Sequence, residues 1–507
     1  MTSAGMNKAV DIAERSLFLK ADITERAACF WNMNKLAKNY LLTGGYQILN
    51  ILIMLVTTPY LTRVLGSGCL GIDSYVLSVV QICQVMGSLG TTIYANREIA
   101  YVREDRQRLT NVFWELLFLR LLLGCGVSGI YLIIAFRSRY RIVFLIQFIQ
   151  LIAYYMDISW LYIGTEDVAP VTLSSAAARI SATGLILFFV KKPQDLYLYV
   201  TISALSLALI SGLLLWRARR RIGPCRPAEL DLRHHLKPVL ALFLPQAASS
   251  LYVIFDKTML GLLASDVSRT SIYDKAEMIV KAPTVLAVAM TTVLMPRIAH
   301  YHALNRREDI RKLVRNALDL MFLLCIPVSA GMAVVAPIFI PIYLGPGYVD
   351  SVRVVRILAP IILAIGMSNV SGAQFLIGCN ETKYLGASYL ASAVFNIAGN
   401  YFLIPRLDEA GASITTLCAE WMVVLIQFYA MHRLIGRIGA AGLAVKKLIA
   451  AAVMCAAILP LARLGSSLGV MFLQIAAGAA VYFLTLIILR DKALARGIDF
   501  LRSRGRQ

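Results

Sequence analysis

Ionisable side chains inside long apolar runs are the residues of this sequence that could do chemistry. A charged side chain at the centre of a membrane-spanning helix costs about 2.5–3.5 kcal/mol on insertion scales, so it tends to face a bundle interior or a watery cavity. Cations placed this way would bind an anionic substrate, and acids would bind protons or sodium. The basic candidates are Arg63, Arg120, Arg179, Lys257, Lys275, Lys281, Arg353 and Arg356, and the acidic ones are Asp157, Asp256, Glu277, Asp319 and Glu420.

For two acid–base pairs among these residues, the spacing in the sequence indicates which way the side chains point. Glu277 and Lys281 stand four residues apart with the acid first, the favourable order for an ion pair on one helix face. A structural pair therefore fits this pattern as well as a binding site does. Asp256 and Lys257 are adjacent, hence about 100° apart around a helix, so at least one of them is expected to face the interior.

The arginines divide into boundary and interior residues. Arg63 and Arg353 lie near the ends of apolar runs, where long cationic side chains also extend toward lipid headgroups. Arg353 and Arg356 are three residues apart, with no acid near them in the sequence, so they form a candidate anion-binding face. The alternative partner for that face is an acid on a neighbouring helix or a lipid phosphate. Internal salt bridges between helices are the structural alternative for Arg120, Arg179 and Glu420.

The elements that carry these residues are membrane spans. Of the 507 residues 59% are hydrophobic, and the mean hydropathy of +0.70 is far above that of a soluble domain. The sequence predicts an all-α polytopic membrane protein with about fourteen transmembrane helices. The predicted spans are 39–60, 74–96, 113–136, 142–163, 168–190, 196–216, 238–263, 276–296, 316–344, 354–378, 384–404, 410–431, 445–463 and 467–489.

Lysines and arginines predict the orientation. Most of the 50 basic residues fall on one set of loops, which places both termini in the cytoplasm. One region disagrees, because the basic segment 137–141 would lie outside and the acidic segment 164–167 inside. The topology around 137–167 is therefore the weakest part of this prediction.

The opening hairpin recurs about 200 residues later. Segments 97–105 and 297–309 share an arginine at the span end, a nearby Ile-Ala, a tyrosine and a basic loop with Glu-Asp. Six spans separate the copies, so both enter the membrane in the same direction, as in a parallel repeat. We expect an N-lobe, a C-lobe and an appended helix pair. The predicted domains are an N-terminal extension (1–33), the N-lobe (34–216), a basic linker (217–237), the C-lobe (238–434), helices 13 and 14 (435–489) and a basic tail (490–507).

Several functions are disfavoured by missing motifs. The sequence contains no G-x-x-x-x-G-K-[ST], H-E-x-x-H or G-x-S-x-G, and its nine cysteines show no paired spacing. We therefore expect no enzyme, no metal site and no cofactor. The net charge of +21 sits on short loops beside apolar runs, which favours anionic lipids over nucleic acid as the partner.

The first residues resemble neither a span nor a secretory signal peptide. Residues 1–32 are polar and mixed in charge, without an apolar core. Met33 directly precedes the first span, so we expect it to be the natural start of translation.

The N-terminal third resembles the Wzx-type polysaccharide flippases of the multidrug/oligosaccharidyl-lipid/polysaccharide exporter superfamily. The residues that carry the resemblance are Lys-Asn-Tyr at 38–40, TPYLTRVLG at 58–66, Gly71, Ser-Tyr at 74–75 and NREIA at 96–100. Span count and the parallel repeat extend the likeness over about 34–490. Asp73 departs from it, since a neutral residue is expected there.

This resemblance implies the transport of an undecaprenyl-pyrophosphate-linked oligosaccharide from the inner to the outer leaflet by alternating access. A cationic cavity would lie between two lobes, lined mainly by helices one, two, seven and eight. Polysaccharide polymerase and glycosyltransferases would be partners of such a protein. The residues expected to meet the pyrophosphate are Arg63, Lys257, Lys275 and Lys281.

Two other functions stay open at this point. A multidrug or metabolite antiporter of the same superfamily would favour an acidic cavity whose carboxylates exchange protons or sodium. An integral membrane enzyme of envelope synthesis would need larger outer loops than this chain has. Should transport be coupled to an ion, the candidate residues are Asp157, Asp256 and Glu420.

Overall fold

The chain runs back and forth between two faces as a series of helices. The computed structural model describes residues 38–224, 230–285 and 291–496, and these ranges contain helices but no β-strand. The first-half helices are α1 (Lys38–Val64), α2 (Gly66–Ser88), α3 (Thr91–Val102), α4 (Arg106–Arg137), α5 (Arg141–Tyr155), α6 (Ser159–Gly164), α7 (Ala169–Phe189) and α8 (Leu196–Ala218). The second-half helices are α9 (Leu232–Leu263), α10 (Ser268–Lys281), α11 (Thr291–Ala303), α12 (Arg307–Tyr343), α13 (Ser351–Leu358), α14 (Ile361–Ser368), α15 (Thr382–Ile435), α16 (Ala440–Ile458) and α17 (Leu468–Ile488). We call the face at which α1 begins the near face and the opposite one the far face.

Eleven helical segments of the described residues are long and apolar enough to cross a membrane. The predicted all-α polytopic membrane fold is thereby confirmed. Two predicted spans fall outside this count: α9 covers 238–263, and α10 and α11 cover the two ends of 276–296. Residues 286–290, between those two helices, are not among the described ones.

Helix α15 is long enough for two crossings and contains both. At Asp408 the backbone leaves the helical region, with φ 50° and ψ −130°, and the chain turns back. Across the turn the Ser392 hydroxyl donates to the Ala419 carbonyl at 3.0 Å, which shows that the two halves lie antiparallel. The predicted spans 384–404 and 410–431 are these two halves.

The predicted loop between the first two spans is wrong. The predicted spans 39–60 and 74–96 leave residues 61–73, with Arg63 and Asp73, as a connection, but only Leu65 separates α1 from α2. Gly66 has φ 73°, a conformation that glycine adopts without steric cost, and this lets the chain change direction within one residue. Asp73 is consequently buried inside α2, where it accepts a hydrogen bond from Gln147 at 3.0 Å.

The described buried apolar side chains form separate cores. One core of the N-lobe surrounds Tyr94 and Trp160, and another surrounds Tyr131 and Phe144. A larger core fills the C-lobe, continues into α16 and α17, and includes N-lobe residues such as Leu61, Leu70 and Ile186. Because this packing crosses between the predicted lobes, their boundaries stay a prediction.

A buried ionic cluster fastens the last helix pair to the C-lobe. Lys447 Nζ on α16 lies 2.5 Å from Asp319 Oδ1 on α12 and 2.8 Å from Asp491 Oδ2 beyond α17. Arg496 Nη2 adds a contact to Asp319 Oδ2 at 2.7 Å. Removing one partner from such a buried cluster leaves an uncompensated charge, so the cluster fixes where the pair docks.

The first predicted domain cannot be compared with the structure. Residues 1–33, including the predicted start Met33, lie outside the described residues. The segment 164–167, in the region where the topology prediction was weakest, does lie at the near face. There the Asn39 amide of α1 donates to the Glu166 carbonyl at 3.0 Å.

Candidate functional site

A charged layer lies where α9 and α10 meet, six residues from the far-face end of α9. Lys257 Nζ of α9 is 2.5 Å from Asp274 Oδ1 and 3.4 Å from Glu277 Oε2, both on α10. Lys275 Nζ binds the other oxygen of Asp274 at 2.7 Å, and Lys281 Nζ binds Glu277 at 2.6 Å. The structure therefore brings together three of the predicted substrate-binding cations.

The geometry of α10 explains this clustering. Asp274, Glu277 and Lys281 stand at helical spacings of three and four, so they share one face. The lysine side chains keep 20–28% exposure, whereas Glu277 is only 4% exposed. The cations are thus open to a ligand, and the acids lie behind them.

The charges of the layer nearly cancel. Three lysines face two acids, and Glu420 of α15 interacts electrostatically with Lys281. Asp274, which contacts both Lys257 and Lys275, was not among the acids predicted from the sequence. An anion entering here must compete with carboxylates already in place.

Helix α2 of the N-lobe closes on this layer from the other side. Ser74 Oγ lies 3.3 Å from Asp274 Oδ2, and the Ser78 and Thr258 hydroxyls are 2.7 Å apart. The two copies of the predicted repeat therefore meet across the lobe boundary.

Two glycines permit this approach. A methyl group on Gly71 would lie 2.3 Å from the Val267 carbonyl oxygen, and one on Gly261 would lie 2.0 Å from the Tyr75 ring. Both distances are far inside van der Waals contact. The far side of the lobe boundary is consequently closed by backbone-to-backbone and ring-to-backbone packing.

Asp256 points away from its neighbour Lys257 and into the C-lobe. Its carboxylate, 2% exposed, accepts hydrogen bonds from Asn400 Nδ2 at 2.6 Å, Thr416 Oγ1 at 2.7 Å and the Tyr273 hydroxyl at 2.8 Å. Asn400 in turn donates to Asn396 at 3.1 Å. One carboxylate among hydroxyl and amide oxygens is a donor set suited to a proton or a hard cation.

Sequence reasoning identified Asp256 but missed the residues that surround it. The signal was present: Asn396 and Asn400 are one helical turn apart in an apolar run, followed by Thr415 and Thr416. Among the described residues no cluster of three or more His, Cys, Asp or Glu side chains could hold a metal ion. In the sequence, the side chains that mark the surroundings of Asp256 are therefore the amides of Asn396 and Asn400 and the hydroxyls of Thr415 and Thr416.

The predicted arginines do not join the charged layer. Arg63 lies at the far end of α1, where it donates to the carbonyls of Pro59 at 2.9 Å and Ile342 at 2.5 Å. Arg353 and Arg356 are both exposed on α13, and Arg356 Nε donates to the Ala333 carbonyl at 3.2 Å.

Asp157 and Glu420, two of the candidate acids, lie in different parts of the structure. Asp157 accepts hydrogen bonds from the backbone N–H and the hydroxyl of Ser159, at 3.2 and 2.7 Å, and so binds the first residue of α6. Glu420 is 9% exposed beside the charged layer.

Arg120 is a buried interior cation with a structural partner. It donates to the carbonyls of Tyr154 at 2.7 Å and Asp157 at 3.3 Å, at the end of α5. The expected salt bridge is thus replaced by carbonyl groups, which a helix C-terminus leaves without internal partners.

An apolar groove runs along the other side of α10. Its volume is about 540 Å³, and its walls come from α1, α10, α12, α16 and α17. Met54 of α1, Met278 of α10 and Phe483 of α17 are among the lining side chains. Helix α10 therefore separates a charged layer from an apolar groove.

A polar pocket of about 520 Å³ lies at the far face. The end of α4 contributes Arg137 to it, the α4–α5 connection contributes Arg139, and the α9–α10 connection contributes Asp266. The pocket borders the Tyr75–Gly261 contact, so its walls also come from both lobes.

Comparison with known proteins finds similar sequences and folds. A family model described as "Polysaccharide biosynthesis protein" matches residues 36–302. The protein named "Putative O-antigen transporter" of Escherichia coli (strain K12) is 25% identical over 414 residues, which cover 80% of this chain and 99% of that relative. The protein of the same name from Shigella dysenteriae is 23% identical over 404 residues, or 78% of this chain and 99% of that relative.

Two solved structures share the fold. The structure described as "Lipid II flippase MurJ, inward closed conformation" superposes with a TM-score of 0.63 at 15% identity, over 90% of this chain and 99% of its own. An inward-facing multidrug resistance MATE family transporter of the MOP superfamily gives a TM-score of 0.58 at 16% identity, over 78% and 95%.

Proposed function

The chain belongs to the polysaccharide biosynthesis protein family, and on that premise we propose that it is a lipid-linked oligosaccharide flippase. Its substrate would be an undecaprenyl-pyrophosphate-linked oligosaccharide, moved from the inner to the outer leaflet of the bacterial cytoplasmic membrane for surface polysaccharide synthesis. The named O-antigen transporters among its relatives support this substrate class, and the flippase-like fold supports the transport step. The resemblance predicted from the N-terminal motifs is confirmed at the level of the family.

The two sides of α10 carry the proposal. Glu277 and Lys281 lie in the charged layer, while their neighbours Met278, Ile279 and Ala282 line the apolar groove. A lipid-linked glycan has the same division, with an anionic polar head and a long apolar chain. The pyrophosphate would meet the lysines, and the polyprenyl chain would follow the groove.

Closure at the far side supports alternating access. The glycine contacts that hold α2 against α9 and α10 would open when the lobes rock apart, since each joins residues of different lobes. With both termini in the cytoplasm, as the basic loops predict, the far face would be periplasmic. The described conformation would then be closed toward the periplasm.

Charge compensation gives the cycle a physical basis. Without substrate, Asp274 and Glu277 neutralise the lysines, which lowers the cost of keeping cations inside the membrane. A pyrophosphate would replace these carboxylates as the lysines' partner. Because Asp274 and Glu277 compete for the same lysines, the pyrophosphate would bind weakly enough to be released.

Asp256 is the best supported of the candidate ion-coupling residues. Its buried carboxylate contacts α10 through Tyr273 and α15 through Asn400 and Thr416. A proton or sodium ion bound there would change the packing of the two helices behind the charged layer. Glu420 is a second candidate. Asp157 is a third, and its hydrogen bonds with Ser159 also give it a structural role.

Partners follow from the substrate. Glycosyltransferases would supply the lipid-linked glycan at the near face, and a polysaccharide polymerase would consume it at the far face. Anionic lipids would contact the basic loops. No cofactor and no nucleic acid enter this scheme.

Deletion of the gene tests the proposal. Lipid extracts of the deletion strain should contain an accumulated undecaprenyl-pyrophosphate-linked glycan that mass spectrometry identifies, and surface polysaccharide should disappear. Reintroduction of the gene should reverse both changes. Unchanged glycan lipids together with normal surface polysaccharide would contradict the proposed function.

A further inference from the structure

The polar pocket at the far face has oppositely charged walls. Arg137 and Arg139 lie on its N-lobe wall, and Asp266 lies on its C-lobe wall. All three side chains are exposed. The pocket volume of about 520 Å³ falls within the range of roughly 300–1,000 Å³ that is usual for small-ligand sites. The pocket can therefore hold a small polar group that contacts both lobes.

The basic wall stands where the orientation of the chain disfavours it. Most basic residues fall on near-face loops, yet the segment 137–141, which contains three arginines, joins α4 to α5 at the far face. Neither Arg137 nor Arg139 forms an ion pair with a carboxylate of the described residues. Arg139 lies over the Tyr140 ring, with its guanidinium carbon 4.7 Å from the ring centre. Two cations of this wall are therefore available to an anion.

The opposite wall keeps a negative charge. Asp266 accepts hydrogen bonds from the Ser268 hydroxyl and, at 3.2 Å, from the Ser268 backbone N–H. These bonds hold the pKa of Asp266 below its usual range, so its carboxyl group is ionised at neutral pH. An isolated phosphate beside the arginines would be repelled by this carboxylate, and an isolated amine beside Asp266 would be repelled by the arginines. A ligand that carries a phosphate and an ammonium together suits both walls.

The side of the pocket toward the membrane centre is apolar and open to lipid. Ile134 of α4 and Leu262 of α9 line it, and their side chains are 39% and 64% exposed. Ile134 stands three residues before Arg137, which ends α4, and Leu262 is the residue before the last one of α9. Charged groups at helix ends, with exposed apolar side chains next to them, match the boundary between the headgroups and the hydrocarbon of a bilayer leaflet.

We propose that this pocket binds the phosphoethanolamine headgroup of a phospholipid of the far leaflet, and that the bound lipid holds the two lobes together. The phosphate would accept hydrogen bonds from Arg137 and Arg139, and the ammonium would donate to Asp266. The acyl chains would lie against Ile134 and Leu262. Because one lipid contacts both lobes, it stabilises the conformation that is closed at the far side. This inference goes beyond the proposed function, since the lipid binds without any transported glycan.

Comparison of three phospholipids tests the binding site. The full-length protein in detergent is titrated with phosphatidylethanolamine, phosphatidylcholine or phosphatidylglycerol, and native mass spectrometry measures the affinity for each. Phosphatidylethanolamine should bind about tenfold more tightly than the others, because choline has no N–H donor and phosphatidylglycerol has no cation. Arg139→Gln and Asp266→Asn should each abolish this preference. Arg141→Gln is the matched control, because Arg141 is an exposed arginine of the same segment that does not line the pocket.

Thiol labelling tests the contact between the lobes. A cysteine introduced at Ser78, which is buried against Thr258, reports opening of the far side to a membrane-impermeant reagent. Above the background labelling of the native cysteines, it should react several-fold more slowly in nanodiscs that contain phosphatidylethanolamine than in nanodiscs of phosphatidylcholine alone. Asp266→Asn should remove this difference. Equal labelling in the two kinds of nanodisc would overturn the role of the lipid in holding the lobes together.

The binding experiment has further outcomes that decide the proposal. Equal affinity for the three phospholipids, or a preference that both pocket variants keep, would overturn this pocket as the site. Tighter binding of phosphatidylglycerol would assign the pocket to anionic lipids and also overturn it. Soluble glycerophosphoethanolamine should compete only weakly, because it lacks acyl chains, and competition at equal concentration would exclude a lipid as the occupant. Equal thermal unfolding of the variants excludes misfolding as the cause of any loss.

Discussion

Lys257 Nζ and Asp274 Oδ1 lie 2.5 Å apart, so the cation best placed for an anionic substrate already has a partner in the folded chain. The pair joins α9 to α10, and α2 approaches the same carboxylate through Ser74 at 3.3 Å. Substrate binding at this point is therefore an exchange of partners.

Replacing Lys257 or Lys281 by alanine should abolish export, with at least a tenfold loss of surface polysaccharide. Each change removes a cation that would meet the pyrophosphate and leaves Asp274 or Glu277 undercompensated. Complementation of the deletion strain measures export, and immunoblotting of membranes measures insertion. Lys383→Ala is the control, since that lysine is 70% exposed and paired with Glu381 outside the layer.

A second variant separates substrate binding from charge balance. Lys257→Ala combined with Asp274→Asn restores neutrality at this pair without restoring the cation. Export should stay absent in the double variant. Recovery of export would show that Lys257 only compensates Asp274, and wild-type export by both single alanine variants would exclude the two lysines from the mechanism.

Gly71→Ala should prevent closure of the far side. The added methyl group would lie 2.3 Å from the Val267 carbonyl oxygen, and backbone cannot move aside as a flexible side chain can. A cysteine introduced at Ser78, which is buried against Thr258, should then react several-fold faster with a membrane-impermeant thiol reagent. Gly68→Ala is the matched control, because no atom lies within 4 Å of its added methyl group. Equal labelling in both backgrounds would contradict the role of this contact as a gate.

Lys447→Met should destabilise the protein by about 3–5 kcal/mol, because it leaves Asp491 buried without its cation and leaves Asp319 with Arg496 alone. Thermal unfolding in detergent measures the loss. Lys446→Met is the control, since its ammonium contacts only the carbonyls of Leu489 and Arg490 among the described residues. A destabilisation no larger than that of the control would show that the cluster does not fix the helix pair.

Lowering the pH should weaken the attachment of α16 and α17 to the C-lobe, because Asp491 becomes protonated. Burial opposes ionisation of this carboxyl, but hydrogen bonds from Lys447 and from backbone N–H groups hold its pKa below the usual range. A carboxyl whose pKa is lower in the folded than in the unfolded state stabilises the folded protein when it is ionised. This stability is present above the unfolded pKa of about 3.9, and it is lost as the pH falls through the folded pKa. Unfolding midpoints measured between neutral pH and about pH 3 should therefore fall less steeply for Asp491→Asn than for the unaltered protein. Parallel curves would contradict this contribution.

Asp256→Asn should uncouple transport from its driving ion. The amide keeps the shape of the carboxylate but carries no charge for a proton or sodium ion to neutralise. We expect binding of undecaprenyl pyrophosphate to persist and export to fall at least tenfold. Normal export by this variant would remove Asp256 from ion coupling.

The sequence was sufficient to predict the membrane spans, because each is a long apolar run that needs no knowledge of its neighbours. It was also sufficient to single out Lys257, Lys275 and Lys281. Helix periodicity even predicted that Asp256 and Lys257 diverge, and in the structure they point to different neighbours. These predictions depend only on residues close together in the chain.

What the sequence could not supply are contacts between distant segments. Asp274 is adjacent to Lys275, yet its partner Lys257 lies on another helix, and the approach of α2 depends on the packing of both lobes. Arg120 donates to two backbone carbonyls, and because every residue has a carbonyl, the sequence does not indicate which ones lie beside a buried cation. The loop predicted around Asp73 failed because the positive φ of Gly66 reduces the turn to a single residue.

A proteoliposome assay measures movement of the lipid between the leaflets directly. A fluorescent undecaprenyl-pyrophosphate-linked glycan is incorporated into vesicles with the purified protein, and a membrane-impermeant quencher reports the leaflet that holds it. We predict protein-dependent exchange between the leaflets, at a rate that Lys257→Ala lowers to that of protein-free vesicles. Exchange no faster with the unaltered protein than without protein, under an imposed proton or sodium gradient, would contradict the account.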